Sequence, residues 1–215
     1  MRGSFNRINV SPQEFLRNLR AYEHGCVFFF SKEGKQNILF DFVKSGLENN
    51  WGVVYIVDME SIDKIIELMQ KYDINLKQYE KSVDCGSSLI IIKGDEMYKD
   101  PNNPDIENWI NTIKSLSDMF ISRGKRGVRV AADLSSYFVS NGLSEQWYKL
   151  EDAIESKPSL PISVLCAYDS FSSKVWDTDV LKYYLESEYD QKEFVDVHSF
   201  VIYTSGQESI IYTIN

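Results

Sequence analysis

"FFFSKEGKQNILF", residues 28–40, decides the reading of this chain. Its phenylalanines end an apolar run, CVFFF (26–30), that is too short for a helix and made of β formers. A polar turn carrying Gly34-Lys35 follows. From about Lys35 to Asn49 the apolar residues Ile38, Leu39, Phe42, Val43 and Leu47 then recur at helical spacing. Strand, glycine-lysine turn and helix make the layout of a phosphate-binding loop. A working loop reads G-x-x-x-x-G-K-[ST]: backbone amides wrap the phosphates, the lysine reaches the terminal oxygens and the hydroxyl binds magnesium. Here Phe29 stands at the first glycine and Gln36 at the hydroxyl. A phenyl ring crowds a phosphate and lacks glycine's backbone freedom, and glutamine is a poor magnesium ligand. ATP hydrolysis is therefore not expected. Weak nucleotide binding at the helix N-terminus, whose free N–H groups favour anions, is left open.

The alternation continues outward from this stretch. VVYIVD (53–58), SLIIIK (88–93), VRVAAD (128–133) and ISVLCAY (162–168) read as buried strands. Residues 62–72, 105–122, 144–156 and 179–187 read as amphipathic helices. Upstream, Ser11-Pro12-Gln13-Glu14 is a capping box with proline at the first helical position. Residues 1–22 thus form an N-terminal helical extension, and 23–215 one domain without an internal linker. FVIYT (200–204) and SIIYTIN (209–215) flank Ser205-Gly206-Gln207-Glu208 and predict a C-terminal antiparallel hairpin. The whole predicts an α/β three-layer sandwich around a mostly parallel central sheet. Ligands of such sheets bind beyond the carboxyl ends of the strands, which here are Phe30–Lys35, Asp58–Ser61, Lys93–Asp95, Asp133–Ser136 and Tyr168–Ser170.

Composition narrows the function classes. A net charge of −9 argues against a dedicated nucleic-acid binder, which needs clustered Lys and Arg to displace counterions. The basic cluster SRGKRGVR (122–129) is short and reads as a solvated turn ahead of a strand. No apolar run approaches the roughly 18 residues of a membrane span, and the start lacks a secretory h-region. A cytoplasmic protein is expected. Cys26, Cys85 and Cys166 are an odd, dispersed set without CxxC, which fits a reducing compartment.

Single residues add chemistry to this frame. Asp133 ends a buried strand, where a magnesium-orienting carboxylate stands in phosphate-loop ATPases. Such an aspartate also commonly caps the following turn. Arg129 interrupts the same strand. It lies on the face of Asp133 but roughly 13 Å away, so either Asp58, a helix carboxylate or a bound anion is expected to satisfy it. His24, Cys26, Cys166 and His198 are metal-ligand types, but nothing in their spacing brings the last two near the first. No metal is expected there, and the histidines read as polar groups satisfied at the sheet edge. Aromatic residues such as Tyr168 cluster near strand ends, and YDSFSSKVW (168–176) reads as a loop over a pocket.

The segments HGCVFFFSKEGKQNILFDFVKSGLENNWGVVYIVD, RGVRVAADLSSYF, and PISVLCAYD followed by VHSFVI resemble the MEDS domain, the methanogen/methylotroph sensory domain also found in a dichloromethane-dehalogenase regulator. The resemblance spans roughly residues 20–205. It implies a degenerate RecA/KaiC-like core and a ligand-sensing module for small organic compounds. It maps recurrent positions onto His24, Cys26, Arg129, Asp133, the run Cys166-Ala167-Tyr168-Asp169, and His198. Two departures stand out: the family usually has glutamate where Asp133 stands and proline where Ser199 stands. Relatives often carry a DNA-binding or kinase module for which no room is seen here. Output is therefore expected through self-association into a homo-oligomer or through a separate regulatory partner protein.

The expected function is a non-catalytic sensor without a cofactor. It binds a small-molecule ligand at Gly34, Lys35, Arg129, Asp133, Tyr168 and Asp169, with His24 and His198 as further candidates. The alternatives are a nucleotide-binding switch or weak ATPase, and an oligomeric scaffold with a vestigial site.

Overall fold

Apolar strand runs built of Val, Ile and Phe can be buried on both faces only if helices cover both sides of the sheet. The structure, a computed structural model, describes residues 5–57, 61–76, 87–98, 100, 103, 105–133, 143–155, 160–169, 198–205 and 208–214. Its strands are β1 (Phe5–Ile8), β2 (His24–Phe29), β3 (Gly52–Val57), β4 (Leu89–Lys93), β5 (Val128–Ala132), β6 (Ile162–Asp169), β7 (Phe200–Ser205) and β8 (Glu208–Ile214). They form one sheet in the order β1-β8-β7-β2-β6-β5-β3-β4. The pairs from β7 to β4 are parallel, and β8 runs antiparallel to both β7 and β1. The fold is thus the expected α/β sandwich with a C-terminal antiparallel hairpin.

The helices are α1 (Pro12–Arg17), α2 (Lys32–Glu48), α3 (Ile62–Lys71), α4 (Gly94–Tyr98), α5 (Ile106–Ser122) and α6 (Ser144–Glu155). Side chains alternate across a strand, and the core divides accordingly. Val27, Phe29, Tyr55 and Ala131 pack with Leu16, Leu39, Phe42 and Ile65 of α1–α3. Cys26, Phe28, Val130 and Tyr168 pack with Trp109 and Ile113 of α5 and Leu150 of α6. Gly25 permits a close approach in this sheet, since a Cβ there would lie 2.1–2.4 Å from three ring atoms of the buried Phe200.

Two local expectations change. The stretch 1–22 carries, besides α1, the strand β1, paired with the last strand of the chain. More consequentially, α2 begins at Lys32 and not near Lys35, because Ser31 caps it: the serine is extended and its Oγ accepts from the Gly34 N–H at 3.0 Å. The expected helix over 179–187, the loop 170–176 and Asp58 lie outside the described residues.

Candidate functional site

Early initiation of α2 leaves only Phe30 and Ser31 between it and β2. Gly34-Lys35 is therefore not a turn but part of the first helical turn. Three amides of this stretch are engaged: Phe30 N–H donates to Thr204 O, Gly34 N–H to Ser31 Oγ, and Lys35 N–H to Ser31 O, each at 3.0 Å. Lys35 Nζ spans the carboxyl end of the sheet to Asp133, with contacts of 2.8 and 3.0 Å to its two oxygens. It also lies 5.2 Å from the centre of the Phe29 ring. Asp133 is buried, and the Tyr55 hydroxyl approaches its Oδ2 at 3.5 Å. Gly34, Lys35 and Asp133 are thus brought together, and the lysine and aspartate neutralise each other. The register places the backbone of Asp169 opposite Phe29 at this same end.

Arg129 is not part of that group. It occupies the amino half of β5, fully buried against α2. Its Nη1 donates to Ser45 Oγ at 2.7 Å and to Phe42 O at 3.4 Å, and its Nη2 to Leu19 O at 3.3 Å. The guanidinium stacks near Phe42 and Trp51. Gly46 makes the room, since a Cβ there would stand 2.9 Å from Arg129 Cδ. Burial, and then the charge of Arg126, lower its pKa to about 10, which leaves it cationic at neutral pH. Its hydrogen bonds go to two carbonyls and a hydroxyl, and not to the expected carboxylate or bound anion. Arg129 ties the chain before β2 to the middle of α2.

The histidines lie in the interior and not at the sheet edge. His24 opens the central strand β2, His198 lies two residues before the start of β7, and both are buried. Parallel pairing of β2 with β6 and β7 brings the two rings to 4.4 Å. Ser199 secures the approach: its N–H donates to His24 O at 2.6 Å and its Oγ accepts from the His24 N–H at 3.3 Å. A proline there could make neither bond.

Glu151 of α6 reaches into the same place, its carboxylate 1% exposed. Glu151 Oε2 is 3.1 Å from His24 Nε2 and 3.9 Å from His198 Nε2, while Oε1 accepts from the Tyr168 hydroxyl at 2.7 Å. Cys166 Sγ lies 3.6 Å from His24 Nε2. Burial alone would raise the carboxyl's pKa. The charge and hydrogen bonding of His24, the charge of His198 and the Tyr168 hydrogen bond outweigh it and hold Glu151 at about 2. Burial, then Glu151's charge, push the Tyr168 and Cys26 groups well above their ordinary values. The sequence carries one signal for Glu151: it falls between Trp147 and Ile154 at i+4 and i+7, an acid on the apolar stripe of its helix.

Beside this cluster lies a cavity of about 130 Å³, between α5, α6 and the amino ends of β2 and β6. Trp109, Ile113, Ile154, Leu160 and Val164 make its walls apolar, and His24 lines it as well. Two buried ring nitrogens of lining residues, His24 Nδ1 and Trp109 Nε1, have no hydrogen-bond partner among the described residues.

Comparison with known proteins accords with this architecture. The structure is similar to the flagellar accessory protein FlaH of Methanocaldococcus jannaschii, with a TM-score of 0.55, 14% identity, and coverage of 98% of this chain and 87% of that one. It is also similar to a KaiC-like protein of the hyperthermophilic archaeon Pyrococcus horikoshii OT3, with a TM-score of 0.54, 12% identity, and coverage of 91% and 79%. At such identities the likeness is one of RecA/KaiC-like fold. No curated protein sequence matches the chain. None of the helices is long and apolar enough to cross a membrane, among the described residues. Residues 23–183 match the family model of the MEthanogen/methylotroph, DcmR Sensory domain, a family described as sensory. With three quarters of its length matched, the chain belongs to the MEDS family.

Proposed function

We propose that the chain is a non-catalytic sensory module whose ligand is a small, largely apolar organic molecule held in the cavity beside His24. The observation that carries this reading is the cavity itself. Its walls are mostly hydrophobic side chains, with Glu23 and His24 as polar members, the usual composition of a small-molecule site. An apolar cavity of about 150 Å³ accommodates benzene, so 130 Å³ suits a guest of a few heavy atoms. This moves the ligand from the carboxyl end of the sheet, where Lys35 and Asp133 close on each other, to the amino end. At the carboxyl end the lysine that a magnesium nucleotide would need is held by Asp133.

A second reading, a nucleotide-binding switch, rests on Lys35 and Asp133 keeping the relative positions of a lysine and a magnesium-orienting aspartate. Thermal unfolding of the full chain separates the two. Dichloromethane, methanol and benzene are the probes in one arm, and Mg-ATP is the probe in the other. A rise with an organic probe that Ala153→Leu, which fills the cavity, removes is expected. A guest at about 100 times its dissociation constant shifts a chain of this size by roughly 5–10 °C. A shift with Mg-ATP that Lys35→Ala abolishes would replace this reading with the switch.

A further inference from the structure

Three donor groups surround one buried point, and a fourth, Cys166, stands beside them with its Sγ 3.6 Å from His24 Nε2. His24 comes from β2, His198 from the turn into β7, Glu151 from α6 and Cys166 from β6, and all four residues are at most 4% exposed. One ring nitrogen of each histidine and a Glu151 oxygen lie within 4.8 Å of one another. We propose that these four side chains hold one divalent transition-metal ion, zinc by the donor set, in a four-coordinate site.

The distances fit that chemistry. Ligands about 2.0–2.1 Å (N, O) and 2.3 Å (S) from a tetrahedral zinc stand roughly 3.4 Å apart for N and O, and 3.6 Å for N and S. The structure has 3.1 and 3.9 Å for the two nitrogen–oxygen separations and 3.6 Å from His24 Nε2 to Cys166 Sγ. Glu151 Oε2 and His24 Nε2 stand 3.1 Å apart, as ligands of a shared centre do.

Charge supports the same assignment. A carboxylate and a thiolate on a dication sum to zero, so the site satisfies the rule that buried charge must be compensated. On binding, Cys166 gives its proton to solvent, since a coordinating thiol is deprotonated. The outer shell is present too. Tyr168 donates to the carboxylate oxygen that would not ligate, fixing which oxygen faces the ion. The adjoining cavity, which His24 lines, provides a route inward. The site stands on its own donor atoms and requires no organic guest.

The test is cobalt and zinc binding by the full chain stripped with a chelator under reducing conditions. The expected result is one cobalt per chain, with a thiolate-to-cobalt charge-transfer band and the intense visible bands of tetrahedral cobalt. Zinc should displace the cobalt and bleach both. Glu151→Gln and His198→Gln should weaken binding by at least about 100-fold. Tyr168→Phe, which removes only a positioning contact, should weaken it about 10–100-fold. Cys166→Ser should remove the charge-transfer band. A wild-type chain that remains folded without taking up cobalt overturns the proposal. So does cobalt bound without the thiolate band, or bound equally by wild type and Glu151→Gln. The wild-type spectrum alone decides the matter if a variant fails to fold.

Discussion

The contact between Lys35 and Asp133 decides whether the carboxyl end of the sheet is closed, and a double-mutant cycle measures it. The perturbations are Lys35→Met, Asp133→Asn and both together. The lysine side chain is 17% exposed and the aspartate 6%, with both carboxylate oxygens within 3.0 Å of Nζ. Breaking a fully buried pair by removing one partner costs about 3–5 kcal/mol, and an exposed pair is worth about 0–1 kcal/mol. This pair sits between the limits, nearer the buried one on the aspartate side. Asp133→Asn, which strands the lysine, should therefore cost about 2 kcal/mol, or roughly 4–8 °C in Tm for a chain of this size. Lys35→Met strands the buried carboxylate and should cost about as much. It also removes the contact with Phe29. The double variant, with no charge left unpaired, should lose much less than the sum, giving a coupling energy of about 1.5 kcal/mol. Urea unfolding followed by circular dichroism reads all four corners of the cycle. Costs that add to within about 0.5 kcal/mol would refute the closed-pair reasoning. Lys35 would then stand free in solution and the phosphate-site reading would regain its footing.

The remaining predictions concern packing and protonation. Asp41 is buried, which raises its carboxyl pKa against the lowering effect of the Tyr72 hydroxyl bonded to it at 2.8 Å. The folded state therefore binds this proton more tightly than the unfolded chain, and the group's contribution falls as pH rises from the ordinary carboxylate range through the raised folded pKa. Asp41→Asn keeps an acceptor for Tyr72 and removes the charge, so its Tm relative to wild type should increase from about pH 4 to pH 7; a flat difference contradicts this. Gly25→Ala drives a methyl into the Phe200 ring and should cost about 2–3 kcal/mol by urea unfolding. Gly46→Ala crowds Arg129 Cδ and should cost about 1–3 kcal/mol. Paired with Arg129→Met, its effect should be less than additive; full additivity would mean that Gly46 is not there for the arginine.

Much of the fold was legible because its signals are local. Strands β2 to β6 are predominantly apolar runs, and Ser11 and Ser61 cap their helices as written, each accepting from the N–H three residues on. The start of α2 was misread for an instructive reason. The glycine-lysine pair suggested a loop, but Ser31 is a strong N-cap, and the local hydrogen bond to Gly34 extends the helix through the loop's place. β1 escaped notice because FNRI has little strand pattern of its own and is stabilised by pairing with residues more than two hundred positions away. The candidate residues divide the same way. Lys35 and Asp133 could be placed from strand ends alone. The proximity of His24, His198 and Cys166 depends on the register of three parallel strands, and Glu151 on a helix laid across them, none of which spacing can reveal.

The place of β2 in the sheet has a consequence for synthesis of the chain. Cys26, near its middle, is paired on one side with Cys166 and on the other with Val201, 140 and 175 residues later by subtraction. At about 5–20 residues per second, the first of these neighbours leaves the ribosome roughly 7–30 s after Cys26 and the second still later. Throughout that interval a strand buried along its whole length in the folded protein has both backbone edges open. Nascent chains halted before β7 should therefore be protease-sensitive and chaperone-bound, and folding on release should be slow, as for other topologies dominated by distant pairings.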